Sequence, residues 1–239
     1  MTADTTGRVR PTARQRARAE ITGEIKDEAR RQLATTGAQL SLRAVARELG
    51  MVSSALYRYF PSRDDLLTAL IIDAYDALAT AAEAADAVAA GRPGATARDR
   101  WRACCHAIRG WALANPHEYA LIYGSPVPGY HAPQDTTAHA ARVAAVLGGL
   151  LAGAHQYDGG RSSTMLPGQL AAQGELVAAA VAPGVTPDIA ARGLVAWTQL
   201  FGMISFELFG QLVGTADPAD DFFAYAIDLT ATVVGLPAA

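Results

Sequence analysis

Residues 41–67, SLRAVARELGMVSSALYRYFPSRDDLL, constrain the fold of this 239-residue chain more than any other stretch. Ser41 is a good N-cap, a residue whose side-chain oxygen takes a backbone N–H that a helix start leaves orphaned. Leu42, Val45, Ala46 and Leu49 then recur at helical spacing and make one apolar face. Gly50 supplies a turn. A second short helix carries Leu56 and Phe60 on one side, with Met51 at its entry. Pro61 stops it, because the residue before a proline is pushed out of the helical region. Ser62 caps a further helix with Asp64 and Asp65 in its first turn, where negative charge suits the helix dipole. Two short helices across a glycine turn, followed at once by a capped long one, make the outline of a helix-turn-helix.

The flanking sequence is helical throughout. Upstream, Ile21, Ile25, Ala29 and Leu33 step by four along a helix expected from about Thr12, with Gly37 as its C-terminal stop. Downstream, helices are expected at about 62–90, 95–115, 135–154, 167–182, 187–213 and 218–235, with a short one from the break at Pro116 to Tyr123. The segments GRPG, GSPVPGYHAP, DGGRSS, PGVTP and TADP separate them. No stretch alternates with period two for long enough to make a strand, so the expected fold is all-α. The expected organisation is a flexible arginine-rich arm over 1–11, a helix-turn-helix domain over 12–61 and a larger helical body over 62–239 that binds ligand and dimerises.

Charge divides the chain in the same place. Of 20 basic and 23 acidic residues, 12 and 8 fall in residues 1–70, a net of +4 on a chain whose total is −3. A basic head on an acidic body fits a nucleic-acid-binding end joined to something that does not bind nucleic acid. Hydrophobic residues make up 51% of the chain, enough for a sizeable core. The longest apolar run, VAAVLGGLLAGA at 143–154, is shorter than the roughly 20 residues that span a bilayer. The polar first residues do not read as a secretory signal. Cys104 and Cys105, the only cysteines, are neighbours and do not bridge easily. A reducing, cytoplasmic setting is expected. With His106 they form a consecutive triplet that diverges around a helix, whereas metal sites need converging ligands. No metal and no cofactor is expected. The chain carries no glycine-rich phosphate loop, nucleophile elbow or paired carboxylates with an evident role, so an enzyme is not expected.

A DNA reader needs a helix that enters the major groove, compact side chains at its N-terminus and phosphate anchors around it. Val52, Ser53, Ser54 and Ala55 open the third helix. The serines reach bases or phosphates, and Val52 and Ala55 suit thymine methyls. Arg43, early in the second helix, is placed for a guanine edge or a phosphate. Ser41, Tyr57, Tyr59 and Arg63 are candidate phosphate contacts, Arg63 beside a helix N-terminus that is itself an anion site. Arg8, Arg10, Arg14, Arg16 and Arg18 read as an arm for the backbone or the minor groove. The groove-facing set is poor in hydrogen-bonding capacity, so methyl contacts and DNA shape are expected to carry part of any specificity.

At this point residues 15–67 resemble the N-terminal domain of TetR-family transcriptional regulators, through the striped first helix, S-L-R-A-V-A-R-E-L-G and L-Y-R-Y-F-P-S-R-D-D-L-L. In the family, a run of the L-Y-x-H-F-x-x-K type carries the recognition helix and two phosphate anchors. Leu56, Tyr57, Tyr59, Phe60 and Arg63 stand at those positions here, with Tyr59 for the usual histidine and Arg63 for the frequent lysine. The resemblance gives Ser41 and Arg43 the second-helix contacts and Val52 to Ala55 the groove. Residues 115–124 and 197–210 are similar to a subclass of TetR-like C-terminal domains with a Trp–His–Gly signature. Trp197 and Gly202 fit it, and Phe201 replaces the histidine.

The resemblance implies a homodimeric repressor that leaves a palindromic operator in double-stranded DNA when a small-molecule effector binds. The alternative is a DNA-binding regulator or architectural protein without an effector. Leu194, Trp197, Phe201, Ser205, Leu208, Phe222, Tyr225 and Leu229 on the last two helices suit a four-helix interface between two copies. Trp101, His106, Trp111, Tyr119, Tyr123 and Trp197 are candidates to line a pocket for a hydrophobic ligand.

Overall fold

The structure, a computed structural model, describes residues 12–36, 40–157 and 166–236. The arm over 1–11 with Arg8 and Arg10, the Gly37 stop and the DGGRSS segment lie outside the described residues. Among the described residues there are ten helices and no strand. They are α1 (Ala13–Thr36), α2 (Leu42–Glu48), α3 (Ser53–Leu56), α4 (Arg63–Ala90), α5 (Ala97–Ala114), α6 (Pro116–Tyr123), α7 (Thr136–Tyr157), α8 (Gly168–Val181), α9 (Pro187–Leu208) and α10 (Asp220–Val233). The chain separates into two compact units, residues 1–70 and 71–239, and the division falls inside α4.

In the first unit α1 packs on α2 and α2 on α3. Ile25, Ala29 and Leu33 of α1 meet a core that holds Leu42, Val45, Ala46, Leu56, Phe60, Leu66 and Leu67, all buried. The Ser41 side chain caps α2 by accepting from the Ala44 N–H at 3.4 Å. Gly50 ends α2 with φ at 65°. The Met51 N–H reaches back to the Ala46 carbonyl at 2.8 Å and the Gly50 N–H to that of Arg47 at 3.1 Å. That pair of bonds satisfies carbonyls a helix end leaves free, and it needs a left-handed residue between them. The third helix is shorter than expected. Past Leu56 the backbone tightens, with the N–H of Arg58 bonded to Ala55 and that of Tyr59 to Leu56, three residues back. The Phe60 N–H makes one last bond to the Leu56 carbonyl, four residues back at 3.1 Å, and Pro61, which has no N–H to continue the ladder, follows at once. Ser62 starts α4 by accepting from the Asp65 N–H at 3.1 Å and donating its hydroxyl to the Asp65 carboxylate at 2.7 Å.

The second unit is built on α5, which packs against α6, α7, α9 and α10, while α8 lies against α7 and α9. A reciprocal capping box, Thr96 with Asp99, opens α5. Trp101, Cys104, Cys105, Ile108 and Ala112 of α5 are buried with Tyr119, Leu147, Leu200, Ile204, Phe223 and Ile227. Two glycines set helix spacing. A Cβ at Gly148 would sit 2.2 Å from the Val181 carbonyl oxygen, and one at Gly174 would sit 2.6 Å from that of Pro187. Only glycine allows α7 and α9 to approach α8 this closely. The expected continuation of the ninth helix to residue 213 does not form. Gly210, at φ 79°, closes α9 with the same bond pair seen at Gly50, Gln211 N–H to Phe206 and Gly210 N–H to Glu207. By length and composition α9 is apolar enough to cross a membrane, but it packs against α5, α6, α7, α8 and α10 as a core helix.

Candidate nucleic-acid interface and small-molecule cavity

The helix-turn-helix buries one face and leaves the other free. Leu42, Val45 and Ala46 point α2 inward, which turns Arg43 out to solvent. Leu56 and Phe60 anchor α3, and Val52 at its start is 69% exposed beside exposed Ser53 and Ser54. Ala55 is half-buried, and Tyr57 is exposed.

Three of the candidate anchors have local work as well. Besides the Ser41 cap, the Arg63 Nε donates to the Leu40 carbonyl at 3.2 Å and ties the loop before α2 to the start of α4. Tyr59 is half-buried under the guanidinium of Arg18, 5.0 Å above its ring, and Arg18 also donates to the Arg58 carbonyl at 3.3 Å. Arg14, Arg16 and Arg18, expected in an arm, belong instead to α1, because the helix starts at Ala13. A groove between α1 and α3 is lined by Arg14, Arg18, Arg58, Met51, Ala55 and Tyr59 among others. It gathers three guanidinium-bearing residues at the foot of α3. Exposed Arg58 is not among the expected contacts, although its place between Tyr57 and Tyr59 is a signal for it. Met51 is only half-buried and forms part of this groove rather than the core.

In the second unit a cavity of about 240 Å³ lies among α5, α7, α8 and α9. Trp101, Leu147, Leu151, Val177, Leu194 and Trp197 line it, together with alanines, Val181, Gly148 and Gly193. Of the residues expected at a pocket, Trp101 and Trp197 are on this wall. The other four are not, for reasons visible in their packing. His106 is exposed and sets its ring edgewise on Phe223 at 5.5 Å. Trp111 is half-buried against the core. Tyr119 is fully buried, with its hydroxyl donated to the Phe201 carbonyl at 2.9 Å and 2.9 Å from Ser205 Oγ. Tyr123 stacks on Phe201 at 4.2 Å and meets Tyr75 edge-on at 6.1 Å, and burial holds its phenol well above the usual range. Leu194, expected at an interface, lines the cavity and is also 46% exposed.

The last two helices carry an apolar outer face. Leu194, Val195, Phe206 and Phe209 on and just after α9, and Phe222, Tyr225, Leu229 and Val233 on α10, are all exposed, Phe206 to 55% and Tyr225 to 65%. Phe201 and Ser205 do not share this face. Phe201 is buried between Tyr123 and Trp197, and Ser205 turns to the Tyr119 hydroxyl. Leu208 is half-buried against the core and Trp197 is half-buried on the cavity wall. The expected set omits Phe206. The helical steps from Gly202 to Phe206 and Phe209 are the sequence signal for it.

Charge in this unit ties helices together. Arg109, nearly buried, donates to both Glu207 oxygens at 2.7 and 2.6 Å and to Asp220 at 2.9 Å, joining α5 to α9 and α10. The hydrogen bond from Arg102 holds the Asp228 carboxyl below its ordinary value despite partial desolvation. On α4 and α7, Asp76 accepts from Arg142 at 2.6 Å and lies 2.9 Å from His139 Nδ1. Partial burial works against ionisation, but these two contacts prevail and lower its pKa. Cys104 and Cys105 are fully buried. Desolvation pushes the Cys104 thiol up to about 12 and the Cys105 thiol well above its usual value, so neither is a thiolate near neutral pH. Among the described residues no group of three His, Cys, Asp or Glu side chains is placed to hold a metal ion.

Comparison with known proteins gives two family matches. Residues 25–70 match the bacterial regulatory proteins of the tetR family, and residues 101–230 match the tetracyclin repressor-like C-terminal domain. The chain is 42% identical over 205 residues to the HTH-type transcriptional regulator Rv1816 of Mycobacterium tuberculosis, covering 83% of this chain and 85% of that protein. A solved structure described as a regulatory protein, SCO4313, is 36% identical and superposes with a TM-score of 0.77 over 92% of this chain and 100% of that one. A TetR family transcription regulator from Marinobacter aquaeolei shares the fold at 17% identity, with a TM-score of 0.59 over 94% of this chain and 100% of its own.

Proposed function

The chain belongs to the TetR family of bacterial regulatory proteins, and from that premise we propose that it is a homodimeric, cytoplasmic repressor that leaves a palindromic DNA operator when a small, largely hydrophobic molecule fills its cavity. One observation carries the DNA reading: Arg43, Val52, Ser53 and Ser54 face solvent together because Leu42, Val45, Leu56 and Phe60 hold their helices from behind. On this reading Val52 to Ala55 enter the major groove and Arg43 reaches a base edge or phosphate. Ser41, Tyr57, Tyr59 and Arg63 fix the register on the backbone, with Arg14, Arg18 and Arg58 adding charge beside them.

A single helix-turn-helix reads one half-site, and a two-fold dimer reads both halves of a palindrome. The exposed aromatic and aliphatic side chains on α9 and α10 support that dimer, since clustered apolar side chains facing water are a common feature of interaction surfaces. Repression is relieved if the effector favours a state whose recognition helices are wrongly spaced, because a ligand with equal affinity for both states shifts nothing. The helix α4, which begins in the DNA unit and ends in the regulatory one, is the covalent route for that change. Footprinting on the DNA upstream of the protein's own gene tests the reading. Two protected half-sites related by a two-fold axis are expected. Protection that spreads evenly along the duplex at all concentrations would refute it.

A further inference from the structure

We propose that the effector is an uncharged molecule nearly free of hydrogen-bonding groups, with on the order of ten carbon atoms, and that Gly193 sets its size. The inference deepens the effector-release reading above and rests on it.

The chemistry follows from the wall. Every side chain on it is alanine, valine, leucine or tryptophan, apart from the two glycines. The Trp101 indole N–H donates to the Ile227 carbonyl at 3.2 Å, away from any ligand. That leaves the Trp197 indole as the wall's remaining side-chain donor. The guanidinium groups on the same helices have partners elsewhere: Arg98 and Arg102 with Asp228, Arg100 with Asp86, Arg109 with Glu207 and Asp220, Arg142 with Asp76, Arg192 with Asp188. Glu175 of α8 faces solvent. A carboxylate or ammonium held against this wall would shed part of its hydration and meet no counter-charge there, and removing a charge from water without a partner is costly.

The size follows from volume. An apolar cavity of about 150 Å³ stays dry and takes benzene, whereas pockets for drug-sized ligands run from about 300 to 1,000 Å³. At about 240 Å³ this cavity lies between them. Scaling from benzene gives on the order of ten carbons, the size of a fused two-ring hydrocarbon. The glycines keep that space open in different ways. A Cβ at Gly148 would strike the Val181 backbone, so a side chain there parts α7 from α8. A Cβ at Gly193 would lie 2.7 Å from Leu151 Cδ1, the flexible end of a side chain, so a larger residue there is accommodated by displacing Leu151 and filling the cavity.

The test uses the full-length protein with naphthalene, decalin and 2-naphthoate as probes, read by tryptophan fluorescence titration and by the thermal midpoint. Naphthalene or decalin is expected to bind once per protomer and raise the midpoint. 2-Naphthoate, of the same shape with one charge, is expected to bind more than about a hundredfold more weakly. Gly193→Leu should abolish hydrocarbon binding, with its unliganded melting curve showing that it folds. Should it not fold, Gly193→Ala should weaken binding and serves instead. Binding of 2-naphthoate as tight as that of naphthalene, no binding of either hydrocarbon, or undiminished binding in the folded glycine variants would overturn the proposal. A DNA-binding arm separates it from the reading it rests on. Hydrocarbon that binds without weakening operator affinity refutes effector release and leaves the cavity's chemistry standing. Operator release by a charged ligand in this cavity does the reverse.

Discussion

Tyr57 keeps 43% of its surface exposed between two buried residues of the motif, Leu56 and Phe60. Its hydroxyl is therefore free of the core, and Tyr57→Ala is expected to weaken operator binding by about 0.5–1.5 kcal/mol, one hydrogen bond, while changing unfolding free energy by no more than about 0.5 kcal/mol. A gel-shift titration beside a urea melt checks both halves. Arg43→Ala is expected to cost on the order of 1–3 kcal/mol and to relax selectivity at one base pair. A uniform loss on all sequences would make Arg43 a phosphate contact instead. At this scale the sequence is readable where a side chain's direction follows from periodicity, as for Arg43 against Leu42 and Val45. It is unreadable where direction depends on a distant partner. Tyr119, Tyr123 and Phe201 look like pocket or interface aromatics in one dimension, yet they pack on one another because α6 folds back on α9.

Helix ends are legible when their signal is local. Ser41, Ser62, Pro61 and Gly50 act where the sequence places them. The end of α9 is equally available, since Gly210 carries the same left-handed turn as Gly50, but the apolar spacing that continues through Leu212 hides it. At Gly50 an added Cβ would meet nothing within 4 Å, so Gly50→Ala tests conformation alone. It is expected to destabilise the protein by about 1–2 kcal/mol, the cost of a non-glycine residue in the left-handed region. Gly148→Ala tests the opposite case, a close approach without unusual dihedrals. The Val181 carbonyl stands in the way, and a loss of about 1–3 kcal/mol with a lower thermal midpoint is expected. Helix–helix distance of this kind leaves no mark in a single sequence beyond the glycine itself.

The order of the parts, a basic reading head and an acidic helical body, is legible from charge and hydrophobic period together. The position of the cavity is not, since its wall draws on four helices. Two whole-molecule outcomes follow. Phe206→Glu combined with Leu229→Glu places charge on the exposed face of α9 and α10 and is expected to yield monomers by sedimentation, with operator affinity reduced at least about tenfold through loss of the second half-site. Acid should weaken the regulatory unit. Asp228, held by Arg102, keeps its pKa below the ordinary 3.8, so the native state gains stability above about pH 4 and loses it as pH falls through the lowered value. Arg102→Met should flatten that acid limb in melts taken as a function of pH.

The exposed face of α2 and α3 is proposed to read DNA sequence. Operator affinity measured against a scrambled duplex of equal length across a salt series tests it most directly. Saturable binding at least about a thousandfold tighter to the operator is expected, with both affinities falling steeply as salt rises. Equal affinity for the two duplexes at every salt concentration would contradict it.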